Sequence, residues 1–187
     1  MNSSKEQIEK QIGDMIRLWV NQVSLTDDKW TALHLACKDS EDHRIFMYLF
    51  KELKANPTIR NIKGVSLMHM AATWDNTYLI TYLRDKVGVS IHEQDYKGNT
   101  PLFYSCSHGS EWAAFWLIAF GADVNAKNFK KDSPLHMILN NPEHIFSTKT
   151  VRELIFKGAE VNAKNQSDKR PIDYIDTLKD EHIKAEL

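Results

Sequence analysis

The sequence predicts an all-α solenoid of about five helix–turn–helix repeats, which carry β-hairpin tips and stack side by side. Related segments recur at a spacing of about 33 to 37 residues: TALHLAC, SLMHMAA, GNTPLFYSC, DSPLHMIL and a degenerate copy, RPIDYI. Two further segments, LIAFGADVNAKN and LIFKGAEVNAKN, are nearly identical. Because one such unit cannot bury its own apolar face, this repetition indicates a stack in which neighbouring units stabilise one another.

The N-terminal segment, residues 1–25, is predicted to form a helix that caps the stack. Ser3 and Glu6 have the spacing of a capping box. Apolar residues then recur at helical spacing, namely Ile8, Ile12, Met15, Trp19 and Val23. Since the end unit of a solenoid exposes its core unless another element covers it, we expect this apolar face to pack on the first repeat.

Residues 26–187 are assigned to the repeats, with starts near residues 26, 61, 95, 128 and 165. The pairs Thr100-Pro101 and Ser133-Pro134 are typical of helix starts. The hydroxyl accepts a hydrogen bond from the backbone, and proline follows where no N–H is needed. We expect the last repeat to be truncated or to act as a cap. Whether the natural protein continues beyond Leu187 stays open.

Turn positions are marked by residues suited to a positive φ. Glycines stand where helices should end, at Gly88, Gly121 and Gly158. Gly64 and Gly98 stand at expected hairpin turns. The same hairpin position carries a side chain in other repeats, at Lys29, Lys131 and Asp168. These hairpins are therefore predicted to be strained by up to about 1 kcal/mol each.

Composition and charge argue against several classes of function. The 24 Lys and Arg residues are matched by 25 Asp and Glu residues, so no basic surface for nucleic acid is expected. No apolar run approaches the roughly 20 residues of a membrane span. Cys37 and Cys106 fall at equivalent small, buried positions two repeats apart, too distant for a disulfide. We therefore expect a cytoplasmic monomer with reduced cysteines and no membrane insertion of its own.

No catalytic residue, metal site or cofactor is predicted. His34, His69 and His136 occupy one repeat position and should lie about a repeat apart, whereas a shared metal requires ligands within a few ångströms. We expect them to bridge neighbouring hairpins. The chain also lacks the motifs of a nucleophile elbow or a phosphate-binding loop. Catalysis by this chain is not expected, although a catalytic domain could follow in a longer protein.

The Thr-Pro-Leu-His type starts and the GADVNAKN type ends together resemble the ankyrin-repeat family over about residues 26–187. The resemblance implies a concave surface, lined by hairpin tips and inner helices, that binds a protein or peptide. The expected partner-binding residues are Trp30, Ile62, Val65, Trp74, Tyr96, Lys97, His108, Phe129, Lys130, Asn140 and Asn141. Aromatic residues in such positions suit a binding hot spot. Alternatively, they lie flat across neighbouring hairpins as scaffold.

The segment EWAAFWLIAF is a second unusual feature. Trp112 and Phe115 fall in outer-helix positions that are usually polar, while Trp116 and Leu117 are expected to face the core. Two interpretations stay open. The aromatic pair forms a convex contact surface, or the long loop over residues 140–150 covers it.

The C-terminal half, including EWAAFWLIAFGADVNAKN, also resembles the ankyrin domains of ciliate-type Asp-His-His-Cys protein S-palmitoyltransferases. This resemblance implies a cytosolic domain that recruits substrate proteins through short extended peptides, using an inner-helix aromatic residue and a nearby Asn. The nearest equivalents here are Tyr104, Trp74 and Asn140. The alternative function is a free-standing ankyrin adaptor or inhibitor.

Two asparagines are candidate sites of modification. The segments around Asn125 and Asn162 resemble the sequence that asparaginyl hydroxylases recognise in ankyrin repeats. We expect both side chains to hydrogen-bond to the backbone of neighbouring hairpins. Because end repeats open more easily, Asn162 is expected to react first.

Overall fold

Each repeat in the structure consists of a hairpin followed by two antiparallel helical segments. The structure, a computed structural model, describes residues 2–25, 28–140 and 148–177. The helices within these ranges are α1 (Asn2–Val20), α2 (Ala32–Ala36), α3 (Arg44–Met47), α4 (Leu67–Thr73), α5 (Thr77–Tyr82), α6 (Pro101–His108), α7 (Glu111–Ala119), α8 (Pro134–Leu139) and α9 (Thr148–Phe156). The chain continues as a wider π-helical turn after α3 and after α5, and a 3-10 helix spans Pro171–Thr177. The predicted all-α repeat solenoid is confirmed.

The core lies between successive repeats. The inner helices α2, α4, α6 and α8 each contribute one buried apolar residue at the same repeat position: Leu33, Met68, Leu102 and Leu135. The outer helices pack behind them through fully buried side chains such as Phe46, Leu79, Leu117 and Leu154. Both cysteines are buried and free. Successive inner helices contact one another, α4 with α6 and α6 with α8, as a solenoid requires.

The repeated histidines join adjacent hairpins, as expected. The Nε2 atom of His34 lies 3.2 Å from the carbonyl oxygen of Val65, and the Nε2 atom of His69 lies 3.0 Å from that of Asn99. The Nε2 atom of His136 lies 3.0 Å from the carbonyl of Lys169. The Nδ1 atoms face the hydroxyl at the start of each helix, for example 2.7 Å from Thr31 Oγ1. Both ring nitrogens are thus satisfied inside the protein, and burial lowers the pKa of His34 to about 4.

The hairpins are held by their first residue and by one another. The Asn61 side-chain oxygen accepts the amides of Lys63 and Val65, both at 2.9 Å. Asp95, Asn128 and Asn165 make equivalent bonds in the following repeats. One backbone bond then links each tip to the next, as from the Tyr96 amide to the Lys63 carbonyl at 2.9 Å. Positive φ angles occur at all the predicted turn positions.

Helix α1 packs less than its pattern predicts. Within this helix Val20 is buried, whereas Ile12, Met15 and Trp19 are exposed, Trp19 by 75%. The Asn21 side-chain oxygen accepts the amide of Asn56 at 2.7 Å, which ties the end of α1 to the first repeat. The capping role of residues 1–25 and the repeat starts stay predictions. No helix among the described residues is long and apolar enough to cross a membrane.

Candidate functional site

The concave side contains a cleft of about 920 Å³ between the hairpin tips and the inner helices of the first three repeats. Its lining residues are Asp28, Trp30, Leu35, Lys38, Ile62, Lys63, Met70, Thr73, Trp74, Tyr104 and His108. Four of the predicted binding residues lie together here, and Tyr104 joins them from the second resemblance: Trp30, Ile62, Trp74, Tyr104 and His108. A cleft of this size, open to solvent and floored by apolar side chains, can hold several residues of an extended chain.

Trp74 is the most accessible of the tryptophan and tyrosine residues that line the cleft. It follows α4 as its C-terminal cap residue, and 41% of its surface is exposed. The ammonium group of Lys38 lies 5.0 Å above its ring, within the range of a cation–π contact. Trp30 sits deeper, with its ring 5.5 Å from that of His34. Trp74 therefore offers an exposed apolar face, while Trp30 also belongs to the packing of the first repeat.

Tyr104 is held in place by a polar network. Its hydroxyl donates to Asp95 at 2.9 Å, and its ring lies parallel to that of His108 at 6.1 Å. The rings of His69 and Tyr104 lie edge to face, with their centroids 5.0 Å apart. Burial, followed by the negative charge of Asp95, raises the pKa of the Tyr104 hydroxyl. Tyr104 thus stays protonated and forms a fixed wall of the cleft.

The aromatic residues at the hairpin tips act in part as scaffold. The Tyr96 ring covers Gly64, where an added Cβ atom would lie 2.6 Å from the ring. Phe129 covers Gly98 in the same way, at 2.9 Å. Both rings are nevertheless 66% exposed. They lie outside the cleft lining and show the arrangement expected if such residues cross the preceding hairpin.

The remaining predicted residues are spread along the solenoid. Lys97 and Lys130 are exposed at their tips, and Asn140 is exposed at the end of α8. Asn141 lies outside the described residues. The expectation that Val65 is accessible is wrong, because this side chain is 2% exposed. Val65 follows the turn at Gly64, where the chain reverses toward the core, and its carbonyl bonds to His34.

Sequence reasoning missed part of the cleft floor. Leu35 and Met70 occupy the position directly after the repeated histidine, and Lys38 follows the buried Cys37. The sequence contained a signal for these residues, because Tyr104, already a candidate binding residue, stands at the same repeat position as Leu35 and Met70. Residues one place C-terminal to the histidine position point to the concave side in three consecutive repeats.

The convex side shows a smaller cleft of about 240 Å³ between α7 and α9. Trp112 and Phe115 line it and are 66% and 50% exposed. Leu117 is buried as expected, but the prediction that Trp116 faces the core is wrong, since it is 41% exposed. Its ring packs instead along the helix against Phe120, at 5.4 Å. The loop proposed to cover this patch lies mostly outside the described residues, at 141–147.

The two candidate modification sites differ in their surroundings. The Asn125 amide donates to the Gly158 carbonyl at 2.9 Å, and its oxygen accepts the amide of Glu160 at 2.8 Å. Asn162 is exposed and makes no such bond to any residue that the structure describes. Asn125 therefore fits the expected bridge to the next hairpin, and Asn162 does not.

Comparison with known proteins finds similarity to ankyrin repeats and to proteins of several functions. The family model for ankyrin repeats (3 copies) matches residues 41–128. B-cell lymphoma 3 protein homolog of Mus musculus is 26% identical over 166 residues, which are 85% of this chain and 36% of that protein. Human protein phosphatase 1 regulatory subunit 27 is 35% identical over 99 residues, 53% of this chain and 59% of that protein.

A third relative bears on the second resemblance. Palmitoyltransferase AKR1 of Naumovozyma castellii is 32% identical over 74 residues, 37% of this chain and 10% of that protein. This match supports a likeness to the ankyrin region of a palmitoyltransferase. The chain thus spans less than two thirds of the length of each of these three relatives.

Proposed function

Because the chain is an ankyrin-repeat protein, we propose that it binds an extended segment of a partner protein in its concave cleft. The observation that carries this proposal is the exposed face of Trp74 in a cleft of about 920 Å³. Interface hot spots are enriched in tryptophan and tyrosine that stand in well-packed pockets. Trp74 and Tyr104 are residues of these two types, and both line the cleft.

The chemistry of the cleft favours a segment with a large apolar side chain. Leu35, Met70 and Trp74 provide apolar surface. Two lysine side chains flank this apolar surface. Lys38 lies over the Trp74 ring, and Lys63 forms an ion pair with Asp28 at 2.6 Å. An apolar anchor would displace water from the floor, and polar groups of the peptide would meet these charges at the rim.

Affinity selection with displayed random peptides tests this proposal. We expect the selected peptides to share an apolar anchor and to bind Trp74→Ala more weakly by about 1–3 kcal/mol. The melting temperature of this variant should change little, since Trp74 is exposed. Phe156→Ala serves as the matched control, because Phe156 is exposed on α9 away from the cleft. Equal affinity of wild type and Trp74→Ala for every selected peptide would reject the concave site.

The cellular role of this binding is a finer proposal. We propose that the domain recruits substrates to a membrane protein S-palmitoyltransferase from the cytosolic side, as a monomer. The match to palmitoyltransferase AKR1 supports this role. The match to a phosphatase regulatory subunit favours the second candidate, a free-standing adaptor or inhibitor.

The transcript downstream of the Leu187 codon separates the two roles. Membrane-spanning segments and a Cys-rich zinc domain support recruitment of substrates. A stop codon supports the free-standing regulator. The concave binding proposal is independent of this outcome, because it concerns the described repeats alone.

A further inference from the structure

The convex cleft between α7 and α9 combines aromatic walls with acidic groups. Its lining residues are Glu111, Trp112, Phe115, Ile118, Lys149, Thr150 and Glu153. Its volume of about 240 Å³ lies below the range of about 300–1,000 Å³ that is usual for small-molecule sites. A space of this size suits a single long side chain rather than a helix or a cofactor.

The apolar part of the cleft is formed by α7. Trp112 and Phe115 lie one helical turn apart and so share a face of the helix. Ile118 closes the floor, where it is almost fully buried. The described residues leave Trp112 66% and Phe115 50% exposed, which is neighbouring apolar surface of the kind that marks an interaction site.

The lining of the cleft contains more acidic than basic side chains. Two carboxylates line it, Glu111 and Glu153, against one ammonium group, that of Lys149. Glu153 is only loosely paired with Lys157, at 3.8 Å. The Glu111 side chain makes no ion pair or hydrogen bond in the part of the chain that the structure describes.

Glu111 is not needed to cap its own helix. The amide of Ala113, near the start of α7, donates to the Asp75 side chain at 2.6 Å. Asp75 adopts a positive φ of 52° and comes from the preceding repeat, so the helix start is satisfied from outside. The Glu111 carboxylate is therefore available to meet a ligand at the edge of the aromatic surface.

We propose that this convex cleft binds an arginine side chain presented by a partner protein. The guanidinium plane and its aliphatic stem pack on Trp112 and Phe115, while its N–H groups donate to Glu111 and Glu153. Arginine suits the cleft better than lysine, because its planar group stacks on aromatic rings and donates to carboxylates in pairs. The cleft faces away from the concave site, so both sites can be occupied together.

The test uses N-acetyl-argininamide and N-acetyl-norleucinamide, which has an apolar stem and no charge. Each is titrated into the ¹⁵N-labelled chain while the Trp112 indole resonance is followed, assigned with Trp112→Phe. We expect a saturable shift with the arginine compound and an affinity at least about threefold weaker for the norleucine compound. Glu111→Gln should reduce that difference, because it removes a carboxylate without removing bulk. Phe156→Ala, also exposed on α9, should leave both affinities unchanged.

Three results would overturn the proposal. The first is equal binding of the two compounds, which would make the cleft a purely apolar surface. The second is an unchanged arginine affinity in Glu111→Gln. The third is arginine binding that occurs only when Ile145 and Phe146, two apolar residues of the loop over residues 140–150, are both replaced by serine. That loop would then be the occupant of the cleft in the wild type.

Discussion

The buried histidines link the repeat sequence to its stability at the level of single residues. His34 and His69 are neutral inside the fold, because burial lowers the pKa of each despite the hydrogen bond to a backbone carbonyl. In the unfolded chain an ordinary histidine takes up a proton near pH 6.5. The unfolded state therefore binds more protons than the folded state below that pH.

This difference predicts a loss of stability in mild acid. The stabilising contribution of His34 is complete above about pH 6.5 and decreases as the pH falls toward about 4. At the lower end the loss is on the order of 3 kcal/mol for this residue. Urea unfolding at several pH values measures it. His34→Gln should flatten the pH dependence, whereas exposed His92→Gln should not. A flat profile for the wild type would contradict the assignment.

The two asparagines make a second prediction at the residue scale. Hydroxylation requires the hairpin to open, and Asn125 must first break its bonds to Gly158 and Glu160. Asn162 has no such bond to the described residues, so an asparaginyl hydroxylase should modify it first. Mass spectrometry of the mass gain of about 16 Da per oxygen atom gives the order. Faster modification of Asn125 would show that local opening does not control the reaction.

At the scale of structural elements, neighbouring hairpins contact each other where a glycine of one hairpin lies under an aromatic ring of the next. Gly98 has a φ of 80° and lies under Phe129, so that an added Cβ atom would lie 2.9 Å from the ring. Gly88 has the same φ of 80°, but an added Cβ atom there would meet nothing within 4 Å. The two glycines therefore separate backbone strain from ring contact.

Gly98→Ala should consequently destabilise the chain more than Gly88→Ala. Backbone strain alone costs about 1–2 kcal/mol, and the collision with Phe129 adds to it only in Gly98→Ala. In the Phe129→Ala background the added cost should shrink by about 0.5 kcal/mol or more, as for residues in contact. Chemical denaturation of the single and double variants beside the wild type gives this coupling. Additive costs would mean that Phe129 does not rest on Gly98.

Helix boundaries and hairpins were predictable from sequence because their signals are local. Thr100-Pro101 and Ser133-Pro134 start α6 and α8, and each hairpin turn has the expected positive φ. The direction of individual side chains was harder to predict. The repeat pattern places Trp116 inside and Val65 outside, and both expectations are wrong. A shift of one residue turns a side chain by about 100° around a helix and moves it to the opposite side of an extended segment.

At the scale of the whole molecule, the sequence predicted which surface is concave, but not which of its residues form the cleft. Repeat alignment placed Trp30, Ile62 and Trp74 in one group, and the structure brings them to one cleft with Tyr104. The repeat alignment alone could not separate these cleft residues from Tyr96 and Phe129, whose rings cross the preceding hairpins. That distinction depends on contacts between repeats, which a single repeat does not encode.

We propose above all that the concave cleft receives a segment of a partner protein. The most direct measurement is a crystal structure of the chain with a peptide obtained by selection. We expect an apolar side chain of the peptide to lie within about 4 Å of Trp74 and Tyr104, with the peptide running along α4 and α6. A peptide bound elsewhere, with the cleft still open to solvent, would contradict binding in the concave cleft.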